Sequence, residues 1–451
     1  GAGGSVAMMS NEEALLRAEH GATILALDVP PGSSFGIDCV SFTCGEKFQG
    51  VKMIPPGLHL VSVGAGGNDH ARVSEFVRLG GGDVAVFRWD PATETFAPGS
   101  GMDDDEADRF RAGARNHDFD RTTGPYPLEA HRKWLAMVDF VTDDALRACG
   151  AEVGARLAPG DPDDAVDAEG RRIERTRGST ARGSDSDVRV DPSPTPASDP
   201  DAPRPPRFGD AASRAPKGAS PEEVTRLGHD PAARLRRALA TANGDWRRLL
   251  GETQVAFSLF LALGSAPAFE HWKAMTAMLC DASAEARAGD PFLSLYDGFI
   301  RAFASQLDLA EGVDGASDVV REGRFLGDAL DALLRGAGEA LRGARGQTAA
   351  RARRSLQVLE AVATRRFGIE TPRTRAKRSF FGGRETGEFL AAGDAGGGGG
   401  PFPFDEDDED APVVVELAEG TYARMDAGAG GSDEDGEGGG SVGGGAVRMV
   451  G

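Results

Sequence analysis

The chain has 451 residues, a formal charge of −21 and a pI near 4.8, an acidic surplus that argues against coating RNA and favours a protein partner, because Lys and Arg must neutralise phosphate for RNA binding. Its 63 glycines and 26 prolines are unevenly spread, which turns much of the length into linker and leaves room for two folded domains. The four cysteines, Cys39, Cys44, Cys149 and Cys280, are too few and too scattered for a disulfide framework.

In chain order, Ser10 to Glu13 form a capping box, and Leu15 with Leu16 predicts a brief helix that Gly21 stops. The first ten residues lack the basic start and apolar core of a secretory signal. No apolar run approaches the roughly 20 residues of a membrane helix, so a soluble protein is expected. Runs rich in β-branched and aromatic residues predict strands at 23–29, 39–44, 48–54, 58–63, 73–79 and 84–89, each bounded by Gly, Pro, Asn or Asp. Their close spacing leaves no room for crossover helices and predicts a mainly antiparallel, sandwich-like sheet. Acidic residues from Asp103 to Glu106 suit a helix start, with Phe110 as its anchor. After the stiff Gly124-Pro125-Tyr126-Pro127 turn, Leu128, Leu135, Val138 and Val141, with Trp134 beside them, predict a helix packed on the β domain.

From about Pro159 to Pro216 the chain is Asp, Arg, Pro, Ser and Gly, too poor in apolar surface to offset its ordering entropy, and a disordered linker is expected. Within it, Ser184-Asp185-Ser186-Asp187 suits an acidophilic kinase or is simply solvated linker. At Ser220-Pro221-Glu222-Glu223 a capping serine, a proline at the first helical position and a glutamate at the third open a helical domain. Leu235 and Leu239 fit its first helix, 246–263 its second and 267–280 its third, which carries Phe269, Trp272, Met275 and Leu279 on one side. Asp290-Pro291 starts a fourth, and two further stripes run through Leu326, Leu330 and Leu333 and through Leu356, Leu359 and Val362, a pattern of antiparallel helices around a shared core. The fold class is therefore α+β, with 1–155 a β-rich domain with flanking helices, 156–218 a disordered linker, 219–370 an α-helical domain and 371–451 a disordered tail.

One island interrupts that tail. Val413, Val414, Val415, Glu416 and Leu417, within 411–419, have high β propensity and no neighbour in sequence to pair with. A lone strand is unstable by itself, so these residues are the candidate partner-binding site through addition to another protein's sheet edge; the alternative is a return to the chain's own β domain. Signs of catalysis are lacking. There is no Gly-Lys pair for a phosphate loop, Asp69 stands where a dinucleotide loop needs a third glycine, and the Gly439 to Gly443 match to a nucleophile elbow lies in a glycine-rich tail. Cys39 and Cys44 lack a second ligand pair, and His271 reads as a surface or core-edge residue, so no metal, cofactor or small-molecule substrate is expected. The basic run Arg351, Arg353, Arg354, Arg365, Arg366 and Arg373 to Arg378 lacks interleaved aromatics and reads as a solvated or acid-binding face; direct RNA binding is not expected.

The block F-G-I-D (35–38) followed by K-F-Q-G-V-K-M-I-P-P-G-L-H (47–59) resembles the Aar-two family of splicing factors. Further anchors keep family order: 84–89, G-P-Y-P (124–127), R-K-W (132–134), L-G-E (250–252) to Phe257, A-F-E-H-W-K (268–273) and 411–419. The resemblance implies a β-sandwich-like domain and a helical domain similar to VHS folds. It also implies a role as a non-enzymatic assembly chaperone of the U5 small nuclear ribonucleoprotein. Such a chaperone binds the particle's large central scaffold protein at its RNase H-like and Jab/MPN domains, blocks premature docking of the U4/U6-unwinding helicase, and works in the cytoplasm during particle maturation and in the nucleus. A VHS-like trafficking adaptor that reads acidic sorting peptides is the alternative.

Overall fold

Strand β1 (Ala22–Leu27) is buried along almost its whole length, as the apolar run A-T-I-L-A-L demands of a strand with neighbours on both sides. In the computed structural model, which describes residues 20–65, 72–97, 101–160, 202–311, 313, 315–369 and 371, β1 is the centre of a five-stranded sheet. β2 (Ser34–Ile37), β3 (Val40–Thr43), β4 (Gly50–Ile54), β5 (Gly57–Gly64), β6 (Val73–Leu79), β7 (Val84–Asp90) and β8 (Thr95–Phe96) follow in close succession. With β9 (Thr123–Pro125) and β10 (Arg156–Leu157) they form two sheets, ordered β8-β7-β1-β4-β9 and β10-β6-β5-β2-β3. The architecture is α+β and the β region antiparallel-rich, with β1–β7 and β4–β9 as parallel pairs. The spacing does exclude helical crossovers between the early strands. The chain instead crosses by alternating between layers, so that β2 to β6 intervene before β7 returns beside β1.

Sequence punctuation misplaced one strand. Asp38 and Cys39 both adopt positive φ, 55° and 73°, the backbone of a two-residue turn whose twist matches its flanking strands. Residues 34–43 are thus a tight hairpin, where the sequence predicts one strand starting at Cys39. Gly50 is required by space: a Cβ there would lie 2.0 Å from the Ile24 carbonyl oxygen, so β4 can cross against β1 only with glycine. Asp103 caps α1 (Asp104–Arg115) by accepting from the Glu106 amide, as its acidic start predicts, and Phe110 on that helix lies under the Arg88 guanidinium and beside Phe119.

Helix α2 (Leu128–Val138) follows the 124–127 turn and buries Trp134 and Met137. Leu135, expected on its apolar stripe, is 51% exposed, because Trp134 Nε1 must face its acceptor, the Leu58 carbonyl, and that rotates Leu135 outward. α3 (Asp143–Ala148) is capped by Thr142. The helical region comprises α4 (Pro221–His229), α5 (Pro231–Thr241), α6 (Trp246–Leu263), α7 (Ala266–Asp281), α8 (Phe292–Glu311), α9 (Ala316–Arg321), α10 (Phe325–Arg342) and α11 (Gln347–Phe367). Ser220 caps α4 by accepting from the Glu223 amide. The single first helix expected after Ser220 is two helices, because Asp230 caps afresh and Pro231 occupies the first position of α5.

The span 156–218, expected to be a disordered linker, is packed at both of its ends. Leu157 is fully buried, the Ala158 amide donates to the Arg204 carbonyl and the Arg204 amide to the Arg156 carbonyl, each at 2.9 Å. Phe208 stacks on His271 with ring centres 4.4 Å apart, and Asp210 is held by Arg237 at 2.9 Å. Few apolar residues do this work, which is why composition hides it. One continuous core then joins the layers: Leu60 of β5 and Phe76 of β6 pack with Trp134, Met137 and the buried residues of α6 to α8. A second core, with Ile24, Phe35, Val51, Val63 and Trp89, lies between the two sheets.

Candidate partner-binding surfaces

Three of the resemblance motifs meet in one buried knot. Asp38, from F-G-I-D, and His59, which ends the following block, are each about 1% exposed, with His59 Nδ1 2.7 Å from Asp38 Oδ2. The Tyr126 hydroxyl of G-P-Y-P donates to the same oxygen at 2.6 Å, and the Leu60 amide donates to Asp38 Oδ1 at 3.0 Å. His59 Nε2 donates to the Pro55 carbonyl at 2.7 Å. Both ring nitrogens face acceptors, and Asp38 collects three donors; an imidazolium beside a carboxylate satisfies every group. Burial pulls the His59 pKa down, but the Asp38 hydrogen bond and charge, with the Pro55 carbonyl, leave it raised above the ordinary value. Burial, then the Asp38 charge and hydrogen bond, push the Tyr126 hydroxyl well up, which keeps it a donor. An Asp-His pair invites a catalytic reading, yet His59 has spent both nitrogens on Asp38 and the Pro55 carbonyl; its chemistry fastens the β hairpin to the 124–127 turn.

The helical motifs are also structural. Gly251, of L-G-E, lies where α6 meets the chain after α2, and a Cβ there would stand 2.4 Å from the Phe140 carbonyl oxygen. Gln254, fully buried, accepts from the Phe140 amide at 2.9 Å and donates to Ala136 O at 3.2 Å and to Asp139 Oδ1 at 2.6 Å. It caps the end of α2 from the helical side. On α7, Phe269 and Trp272 sit in an aromatic cluster with Phe257 and Phe260, Trp272 Nε1 donates to Gln306 Oε1 at 2.9 Å, and Lys273 pairs with Glu270 at 2.7 Å. His271 lies at the core edge under Phe208, and burial holds its pKa down to about 4. Burial pushes the Cys44 thiol up to about 12 and the Cys39 thiol well up, so both stay protonated.

Three arginines of the basic run reach acceptors within the helical region, while Arg351 and Arg365 stay exposed on its surface. Arg351 Nε meets Asp297 at 2.7 Å, Arg353 donates to the carbonyls of Leu341 and Ala344, and Arg366 lies 2.8 Å from Glu311 and 3.5 Å from Asp308. These arginines brace α8, α10 and α11. Val413, Val414, Val415, Glu416 and Leu417, the predicted partner-binding residues, lie outside the described residues, as do the helix expected before Gly21 and Arg373 to Arg378. Among the described residues β3, β8 and β9 each pair with a single strand, so each sheet ends in a strand with one free edge. Two residues escaped sequence reasoning. Tyr126 passed as part of a turn, and Gln254 was the last of three polar residues, Glu252, Thr253 and Gln254, before the apolar run 255–263, which was the available signal.

Comparison with known proteins follows the same division of the chain. The model described as the AAR2 N-terminal domain matches residues 20–150, and that described as the AAR2 C-terminal repeat region matches residues 209–372. The chain is 29% identical over 321 residues to Protein AAR2 homolog of Caenorhabditis elegans, covering 70% of this chain and 86% of the relative. It is 28% identical over 328 residues to the homologs of Mus musculus and Homo sapiens, in each case over 70% of this chain and 82% of the relative.

Proposed function

Because the chain belongs to the AAR2 family, we propose that it is a non-enzymatic splicing factor, an assembly chaperone of the U5 small nuclear ribonucleoprotein. In this reading it binds the particle's large central scaffold protein at the RNase H-like and Jab/MPN domains and keeps the U4/U6-unwinding helicase from docking early. It acts in the cytoplasm during particle maturation and in the nucleus. The β region and the VHS-like helical region form the platform. Residues 413–417 add as a strand to a partner sheet, with backbone hydrogen bonds supplying affinity and alternate side chains specificity.

The observation that carries the reading is the match of both family regions in order, joined by one core that includes Leu60, Phe76 and Trp134. A shared core gives a rigid body that can hold two partner domains at a fixed spacing. It disfavours the trafficking adaptor, which needs a self-sufficient helical domain with a free basic groove, whereas Arg351, Arg353 and Arg366 are engaged within the fold. The test is capture from lysate: deleting residues 411–419, or placing proline at Val414, is expected to weaken recovery of the scaffold protein. Undiminished capture by both variants refutes strand addition, and recovery of coat or cargo-sorting proteins by the wild type refutes the chaperone.

A further inference from the structure

The outer face of α11 carries charge that the fold leaves unused. Between Gln347 and Phe367 the helix holds five arginines and a single acidic residue, Glu360, which accepts from the Thr371 hydroxyl. Arg351 is matched by Asp297, Arg353 by two carbonyls and Arg366 by Asp308 and Glu311. Arg354, half-buried, and Arg365, exposed, make no ion pair and no side-chain hydrogen bond among the described residues. At 3.6 residues per turn the step from 354 to 365 completes three turns and about 20°, so both lie on one face of the helix, about 16 Å apart along its axis. Val358 and Ala361 fall on the same stripe by their spacing and are half-buried, which leaves an apolar strip between the two arginines. The bonds of Arg353 to the Leu341 and Ala344 carbonyls hold the end of α10 against the start of α11. They bring to that end the exposed Arg342 and Arg345, which also have no charged partner among the described residues.

We infer that this stripe is a docking surface for an acidic segment of a partner protein, whose carboxylates meet Arg354 and Arg365 and whose apolar residues between them cover Val358 and Ala361. Charge complementarity selects that occupant. Arg342, Arg345, Arg354 and Arg365 form a positive patch with no acid set against it among the described residues, although the chain as a whole has a formal charge of −21. The Debye length is about 8 Å at physiological ionic strength, so an arriving carboxylate senses these arginines rather than the acidic surplus elsewhere. A nucleic acid fits less well, because it would set phosphates against Val358 and Ala361 and the stripe offers no aromatic ring for a base to stack on. An exposed ion pair is weak alone, so both arginines must be met together. In an extended peptide the 16 Å between them corresponds to carboxylates about five residues apart. The surface is separate from residues 413–417 and adds a second contact to the strand proposed above.

Fluorescence anisotropy of the full chain with a labelled peptide tests this, the probe carrying glutamates at that spacing on either side of paired leucines. Saturable binding is expected, about tenfold weaker in an Arg354→Glu/Arg365→Glu double variant and within about twofold of wild type in Arg354→Lys/Arg365→Lys, since the contact needs positive charge at both positions. Neither side chain bonds to the fold, and melting temperatures check that the variants keep it. Arg132→Glu reverses another exposed arginine without a partner among the described residues, on α2, and should leave the affinity unchanged. Absence of saturable binding, an affinity indifferent to the double charge reversal, an equal loss in Arg132→Glu, or tighter binding of an oligouridylate of the same charge overturns the proposal. Scaffold capture through residues 413–417 plays no part in the measurement, so failure here leaves the chaperone reading standing, and the reverse.

Discussion

Replacing Asp38 with Asn would leave the His59 imidazolium facing a neutral amide at a site about 1% exposed. Breaking a buried pair on one side costs about 3–5 kcal/mol, and the denaturant midpoint should fall accordingly with the slope unchanged. A variant as stable as the wild type would show that the knot is not ionic. The two buried histidines predict opposite pH behaviour. His59 has a raised pKa, so its contribution is complete in acid and drains as pH rises through its folded value. His271 is held down to about 4 from an ordinary 6.5, so unfolding takes up a proton and roughly 3 kcal/mol is lost as pH falls from 6.5 to 4. Melting curves of His271→Gln should lack that acid slope; an identical slope would refute its origin in His271. The letters of this knot were visible in the sequence, but their meeting was not. Asp38 and His59 lie 21 positions apart and Tyr126 lies 88 from Asp38, separations that no helical or strand period can connect.

At the scale of the element, Gly251 sets two effects in opposition. Alanine is the better helix former by about 1 kcal/mol, yet its Cβ would press on the Phe140 carbonyl at 2.4 Å and on Ala145 at 2.9 Å. Overpacking against backbone outweighs propensity, and Gly251→Ala is expected to lower stability by about 1–3 kcal/mol in chemical denaturation. A stabilised variant would mean that α6 can shift. On α2, Leu135→Lys should change stability by less than about 0.5 kcal/mol and Met137→Ala lower it by about 2–5. Helix α6 was legible to the residue, 246–263, because Asp245 caps its start and Gly264 its end in the left-handed conformation. The orientation of α2 was not, because it depends on one indole hydrogen bond to a strand 76 residues earlier. The β2–β3 hairpin was half legible: Cys39 at φ 73° is a turn residue that its side chain does not advertise.

The molecule as a whole should melt in one step across its β and helical regions. Leu60, Phe76, Trp134 and the helical residues belong to one core, so separating residues 20–150 from the rest would strip Phe76, fully buried, of its cover at about 1.5–3 kcal/mol for that side chain alone. Calorimetry should give a single transition, and two resolved transitions would contradict a shared core. The two-region organisation was readable from composition and capping; their fusion was not, because Leu60 and Phe76 look like any other inward residues of a sandwich. The backbone clasp between Arg156, Ala158 and Arg204 has a practical corollary. It brings the flanks of residues 161–201 within a hydrogen bond of each other, so the two ends of that interval offer an entry point for a grafted domain. Loop closure varies only as the logarithm of length, and shrinking those residues to about eight changes the cost by roughly 1.5 kcal/mol. A fluorescent protein whose own termini adjoin could be seated there as a reporter without prising apart the layers beneath.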